Sequence, residues 1–142
     1  MSLQSLPCYC ATVRQAARAV TSLYEEVLAE SPLHATQFTA LQILKAAPNL
    51  TTTELAEMIG IDQTTATRTL AIIRKMGLAI DRRGSDRRER RWALTSEGEA
   101  LYRKLRPRWE EAQATFERRL GKEAALTLKK AAYHVANQLS SK

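Results

Sequence analysis

Asp86-Arg87-Arg88-Glu89-Arg90-Arg91 places four arginines and two acids directly after Gly84-Ser85 and directly before the β-favouring run Trp92-Ala93-Leu94. With Arg82 and Arg83 just upstream, six guanidinium groups crowd ten positions. They repel one another unless acids or a polyanion intervene. A second set, Gln63, Thr64, Thr65, Thr67 and Arg68, puts amide, hydroxyl and guanidinium groups at the start of a helical pattern. Arginine suits the guanine edge and glutamine the adenine edge, and small hydroxyls let a helix approach closely. The free N–H groups of a helix start also suit phosphate. Arg74 and Arg83 extend this basic surface. A third set is Cys8 and Cys10, one residue apart, with Arg14 one helical turn on. Such thiols are candidates for redox chemistry or simple packing.

The rest of the inventory narrows the class. Two cysteines with no neighbouring histidine do not make a metal site. No Ser/His/Asp or Cys/His constellation accompanies Cys10, so a thiol peroxidase is disfavoured and no catalytic residue or cofactor is assigned. The chain has 142 residues and a formal net charge of +7. Residues 61–92 hold nine Lys or Arg against four acids, so five of those seven charges lie in one stretch. Focused positive charge points to double-stranded DNA as the partner. Apolar runs are too short to span a bilayer and no signal peptide opens the chain, so the expected location is cytoplasmic.

The elements that must carry these groups follow from periodicity and punctuation. Val13, Ala16, Ala17, Val20, Tyr24 and Val27 give a first amphipathic helix within 8–30, stopped at Ser31-Pro32. A nearly all-apolar helix over 36–46 follows. Thr51-Thr52-Thr53-Glu54 reads as a capping box for a short helix whose inward face is Leu55, Met58 and Ile59. Gly60 ends that helix and Asp62 caps the next, with Ala66, Leu70, Ile73 and Met76 inward and Gly77 at its end. Two helices joined by that tight turn are a helix-turn-helix. Leu78–Ile80 and Arg91–Leu94, flanking Gly84-Ser85-Asp86, form a β-hairpin wing. Ser96 with Glu99 reads as a further capping box opening a long helix that contains Pro107. Gly121 separates it from a last helix with Leu126, Leu128, Ala132, Val135 and Leu139. Met58, Met76, Tyr24 and Trp109 are expected to pack, and His34 to cap.

This order of elements, Thr53–Glu57 through Gly77-Leu78, and above all Asp86-Arg87-Arg88 followed by Leu94-Thr95-Ser96-Glu97-Gly98, resembles the MarR family of bacterial regulators. The resemblance implies that Arg88 is a wing arginine in the minor groove with Asp86 holding its guanidinium. It also implies a homodimer through the terminal helices, a palindromic operator, and release by a small molecule or oxidant. The stretch Cys10–Arg18 is similar to the organic-hydroperoxide-sensing branch. By that similarity Cys10 stands at the reactive cysteine and Tyr24 at one of two tyrosines that bond the thiolate. Arg14 stands where that branch has the other tyrosine, and Cys8 becomes a resolving thiol.

The expected fold is therefore mainly α with a small β-hairpin wing, in one MarR-like domain over 1–142. A winged helix-turn-helix over 36–95 is flanked by dimerisation helices at 8–30 and 96–140. The expected function is sequence-specific transcriptional regulation, as a repressor, with DNA contact by Gln63, Thr64, Thr65, Thr67, Arg68, Arg74, Arg83, Asp86, Arg87, Arg88 and Arg90. The effector expected is a small aromatic molecule or a hydroperoxide. A non-specific architectural DNA binder and a winged-helix protein-interaction module are the alternatives.

Overall fold

A computed structural model describes residues 4–5, 7–86 and 88–140; Arg87 lies outside the described residues. The order is α1 (Tyr9–Val27), α2 (Ala35–Ala46), β1 (Leu50–Thr51), α3 (Thr52–Ile59), α4 (Gln63–Lys75), β2 (Ala79–Arg83), β3 (Arg90–Leu94), α5 (Ser96–Leu120) and α6 (Lys122–Ser140). Mainly α with a small antiparallel sheet is thus the architecture. The chain divides into two compact units, residues 28–107 and residues 1–27 with 108–142.

The unit 28–107 contains the helix-turn-helix and the wing. Phe38, Leu41, Leu44, Leu55, Leu70 and Ile73, from α2, α3 and α4, are at most 2% exposed. Each such side chain contributes roughly 1.5–3 kcal/mol by leaving water. Phe38 also stacks on Tyr102 of α5, with ring centroids 5.5 Å apart. His34 caps α2, and its backbone N–H donates to Gln37 Oε1 at 3.0 Å. Thr51 caps α3 in the expected reciprocal box with Glu54. Gly60 takes φ +81°, the left-handed conformation that lets α3 stop and α4 begin two residues later. Met58 and Met76 are not core residues: they are 57% and 37% exposed. In these two helices the inward ridges are Leu55-Ala56 and Ala66, Thr69, Leu70 and Ile73, which rotates both methionines outward.

The sheet has the order β1-β3-β2 and every pair is antiparallel. The wing hairpin pairs Ala79 with Leu94 through Arg83 with Arg90. The two-residue β1 was not expected, because so short a strand carries no periodicity; Leu50 pairs with Trp92. Asn49, at φ +70°, turns the chain so that its N–H donates to the Trp92 carbonyl.

Leu94-Thr95-Ser96-Glu97-Gly98 ties the wing to the residues that follow α4. The cap of α5 is Thr95, one residue earlier than the expected Ser96: its Oγ1 accepts from Gly98 N–H at 3.0 Å. The same hydroxyl donates to the Gly77 carbonyl at 2.6 Å, and Thr95 N–H donates to Leu78 O. The strand register fixes this choice, since β3 ends by bringing Thr95 against the end of α4. Gly98 is buried there, and a Cβ on it would overlap the Leu78 carbonyl. Only glycine fits that approach.

The second unit combines α1, the part of α5 from residue 108, and α6. Tyr24 and Trp109 pack with ring centroids 4.4 Å apart, and Tyr24 Oη donates to Gln113 Oε1 at 2.8 Å. Burial, and then the charge of Glu117, raise the Tyr24 hydroxyl above its ordinary pKa. Little else is covered. Helix α1 has no buried residue, and Val13, Leu126, Val135 and Leu139 are 60%, 52%, 47% and 81% exposed.

Candidate nucleic-acid interface

The start of α4 is set by Asp62. Its Oδ1 accepts the Thr65 backbone N–H and its Oδ2 the Thr65 hydroxyl, both at 2.8 Å. Those bonds, the backbone one first, hold the Asp62 carboxyl below its ordinary pKa. Thr65 is consequently half-buried in the cap, whereas Gln63, Thr64, Thr67 and Arg68 stand exposed. Thr67 Oγ1 donates back to the Gln63 carbonyl at 2.9 Å, which satisfies its hydroxyl within the helix. The exposed set lies opposite Ala66, Leu70 and Ile73, so the helix presents polar groups on one face and core on the other.

The wing sorts its arginines by partner. Arg91 pairs with Glu89 at 2.8 Å and donates to the Asn49 carbonyl at 2.9 Å. Arg90 and Arg74 both pair with Asp81, each at 3.2 Å. Arg68, Arg82, Arg83 and Arg88 are exposed and form no ion pair among the described residues. Arg68, Arg82, Arg83 and Arg88 are thus among the module's uncompensated positive charges. Asp86 meets Arg88 differently from the expectation: its Oδ1 accepts the Arg88 backbone N–H at 3.1 Å. That is an Asx-type turn, which shapes the loop and leaves the Arg88 side chain unpaired.

Helix and wing share one concave surface of about 700 Å3. Gln63, Thr67, Arg74, Asp86, Arg88 and Arg90 line it together with Thr51, Thr52, Thr53, Asp81 and Trp92. Of the residues expected to contact DNA, Gln63, Thr67 and Arg74 of α4 and Asp86, Arg88 and Arg90 of the wing thus share one concave lining, whereas Thr64, Thr65, Arg68 and Arg83 are not part of it. Three participants were missed. Trp92 is buried and its Nε1 donates to Thr52 Oγ1 at 3.0 Å, joining the sheet to the start of α3. Thr52 lies on the floor of the concavity. Asp81 was counted only as one acid in a basic stretch, although an acid alternating with arginines on a strand is a cross-strand signal.

The thiols lie elsewhere, in the helical unit. Cys8 and Cys10 are exposed around the start of α1, and Arg14 Nη2 donates to Cys10 Sγ at 3.4 Å. Tyr24 is fourteen residues farther along the same helix, about 21 Å away at a rise of ~1.5 Å per residue. Within one chain the structure therefore brings Arg14, but not Tyr24, to Cys10.

The chain matches the MarR family over residues 33–89. It is 32% identical to the M. tuberculosis transcriptional regulator MosR in its complex with DNA, covering 94% of this chain and 96% of that one with a TM-score of 0.82. It is 29% identical over 93 residues to the HTH-type transcriptional regulator YwoH of Bacillus subtilis, which is 66% of this chain and 68% of YwoH. It is also similar to NadR in complex with 4-hydroxyphenylacetate, at 27% identity, 96% and 98% coverage and a TM-score of 0.74.

Proposed function

Because the chain belongs to the MarR family of transcriptional regulators, we propose that it is a homodimeric repressor that binds a palindromic operator and is released by a chemical signal. One observation carries the DNA assignment. Gln63 and Thr67 of the exposed polar face of α4 and the unpaired Arg88 line the same concave surface, in a module whose other wing acids are already engaged. In this reading Arg68 and Gln63 face base edges in the major groove. Arg88 enters the flanking minor groove, while Arg82 and Arg83 meet phosphates. Arg87 belongs to the same basic run. The DNA-bound relative at 32% identity supports this docking.

The dimer assignment rests on the uncovered apolar side chains of α1 and α6. Two recognition helices related by a two-fold axis require half-sites about 34–36 Å apart. Selection of bound duplexes from a random pool, followed by footprinting, tests both. The expected result is a protected pseudo-palindrome; uniform protection of every duplex would instead identify an architectural DNA binder.

The signal is proposed to be an oxidant or a small aromatic acid. Exposed Cys10, contacted by Arg14 and two residues from Cys8, supports the first. A hydroperoxide ROOH would oxidise the Cys10 thiolate to sulfenic acid with release of ROH. Condensation with a second thiol such as Cys8 would then give a disulfide and water. The aromatic-acid complex of NadR supports the second. Organic hydroperoxide should release wild-type protein from its operator reversibly, while Cys10→Ser should bind and ignore it. An equal response of the two proteins would remove the thiol from the mechanism, and no response in either would favour the aromatic effector.

A further inference from the structure

Asp81 is a carboxylate with an unusual position. Its side chain is only 11% exposed, yet it sits in the most basic part of the molecule. Oδ1 accepts from Arg74 Nη1 of α4 at 3.2 Å, and Oδ2 forms an ion pair with Arg90 Nη1 of β3, also at 3.2 Å. The strand register explains how. Asp81 pairs with Trp92, so Arg90, two residues back along β3, is its diagonal neighbour on the same face. Arg74 reaches the same carboxylate from the last turn of the recognition helix.

We infer that Asp81 is a positioning residue that holds Arg74 and Arg90 together as one clamp for a single DNA phosphate. The inference rests on the DNA-binding reading given above. Two guanidinium groups this close repel and would splay apart; a desolvated carboxylate between them holds Arg74 through a charge-assisted hydrogen bond and Arg90 through an ion pair. The bonds do not exhaust the arginines. Their side chains remain 53% and 48% exposed, and each guanidinium keeps further N–H donors. Both side chains line the concave surface beside Gln63, Thr67 and Arg88. Two cations and one anion leave one net positive charge, which matches one phosphodiester. The clamp also links α4 to the wing, so a phosphate seated there sets the two reading elements in a fixed relation.

The test uses the duplex recovered by selection and a scrambled duplex of equal length, each titrated with salt. Removing a negative charge beside DNA should, by charge alone, tighten binding to both. The clamp demands the opposite on both. Asp81→Asn should bind the selected duplex about tenfold more weakly, and the scrambled duplex likewise, with an unchanged melting transition. Unchanged or tighter binding to both overturns the proposal.

Should Asp81→Asn fail to fold, Arg74→Gln, Arg90→Gln and the double variant decide, since both side chains are surface groups. Each single variant should lower the salt slope by about one unit, and the double by no more than a single. A double loss of about two units means two separate phosphates and overturns the clamp. If wild type does not distinguish the duplexes, the regulator reading fails, whereas the slopes of the arginine variants on the scrambled duplex still report on the clamp.

Discussion

The two units of this chain solve opposite problems with similar helices. In residues 28–107 the apolar faces are spent on one another, and the outward surface is polar and basic. In the unit formed by residues 1–27 and 108–142 the apolar positions remain outside. Among the described residues, all the buried apolar ones but Ala112 and Ala125 belong to the winged unit. The contrast teaches where each unit's partner must be sought. A saturated core with a charged face calls for a polyanion. Long helices that leave Val13, Leu126, Val135 and Leu139 exposed call for another apolar surface, and a second copy of the same chain would supply one by symmetry.

The largest expected effect breaks the second half of that comparison. Leu126→Glu with Leu139→Glu changes side chains that are 52% and 81% exposed in the single chain, so the winged unit should keep its fold. In the proposed dimer the new charges would be buried. Sedimentation should report a monomer, and operator affinity should fall about 100-fold or more, as expected when two half-sites no longer act together. A double variant that stays dimeric would refute the assignment of α6 to the interface.

Glycine substitutions sharpen the comparison in stability. Gly98→Ala forces a Cβ into the Leu78 carbonyl and should cost about 3 kcal/mol, because backbone rather than a side-chain tip must move. Gly121→Ala meets open space and suffers only from φ +88°, an expected cost of about 1–2 kcal/mol. Urea unfolding of both variants checks the order; equal losses would mean that the Gly98 contact relaxes freely.

Within the winged unit, Arg68→Ala and Arg88→Ala separate reading from anchoring. Arg68→Ala should cost roughly 1–3 kcal/mol on the selected duplex and little elsewhere. Arg88→Ala should weaken binding to selected and unrelated duplexes alike, with a salt slope shallower by about one unit. Uniform loss in Arg68→Ala would reassign that residue to a phosphate.

The smallest effect concerns pH. The folded-state pKa of Asp62 is depressed by its bonds to Thr65, so its contribution is complete above the ordinary carboxylate range. It is lost as pH falls through that range toward the lowered folded value. The melting-temperature difference between wild type and Asp62→Ala should therefore be full at pH 7 and shrink in acid. A difference that stays constant with pH would mean the cap does not depend on the charge.

Much of this was legible before any fold was known, and for local reasons. Thr51 with Glu54, Gly60 and Asp62 each act on backbone groups within four residues, so their roles followed from spacing alone. The basic hairpin was legible because charge and turn residues are contiguous. What failed had longer reach. Met58 and Met76 fit an apolar period, yet which ridge of a short helix turns inward is settled by its packing neighbours. The cap of α5 moved from Ser96 to Thr95 because β3 delivers Thr95 to Gly77, eighteen positions away.

The sequence by itself determined the helices, their caps, the wing and the concentration of arginine on one module, because each depends on neighbours along the chain. Only the tertiary structure decided which arginines a carboxylate holds in place and which stand without an ion pair among the described residues. That choice belongs to strand register and helix contact: the Asp81 carboxylate lies within 3.2 Å of both Arg74, seven residues earlier, and Arg90, nine later. Charge counting cannot distinguish these from Arg88, because Coulombic pairing depends on distances that exist only once the chain has folded.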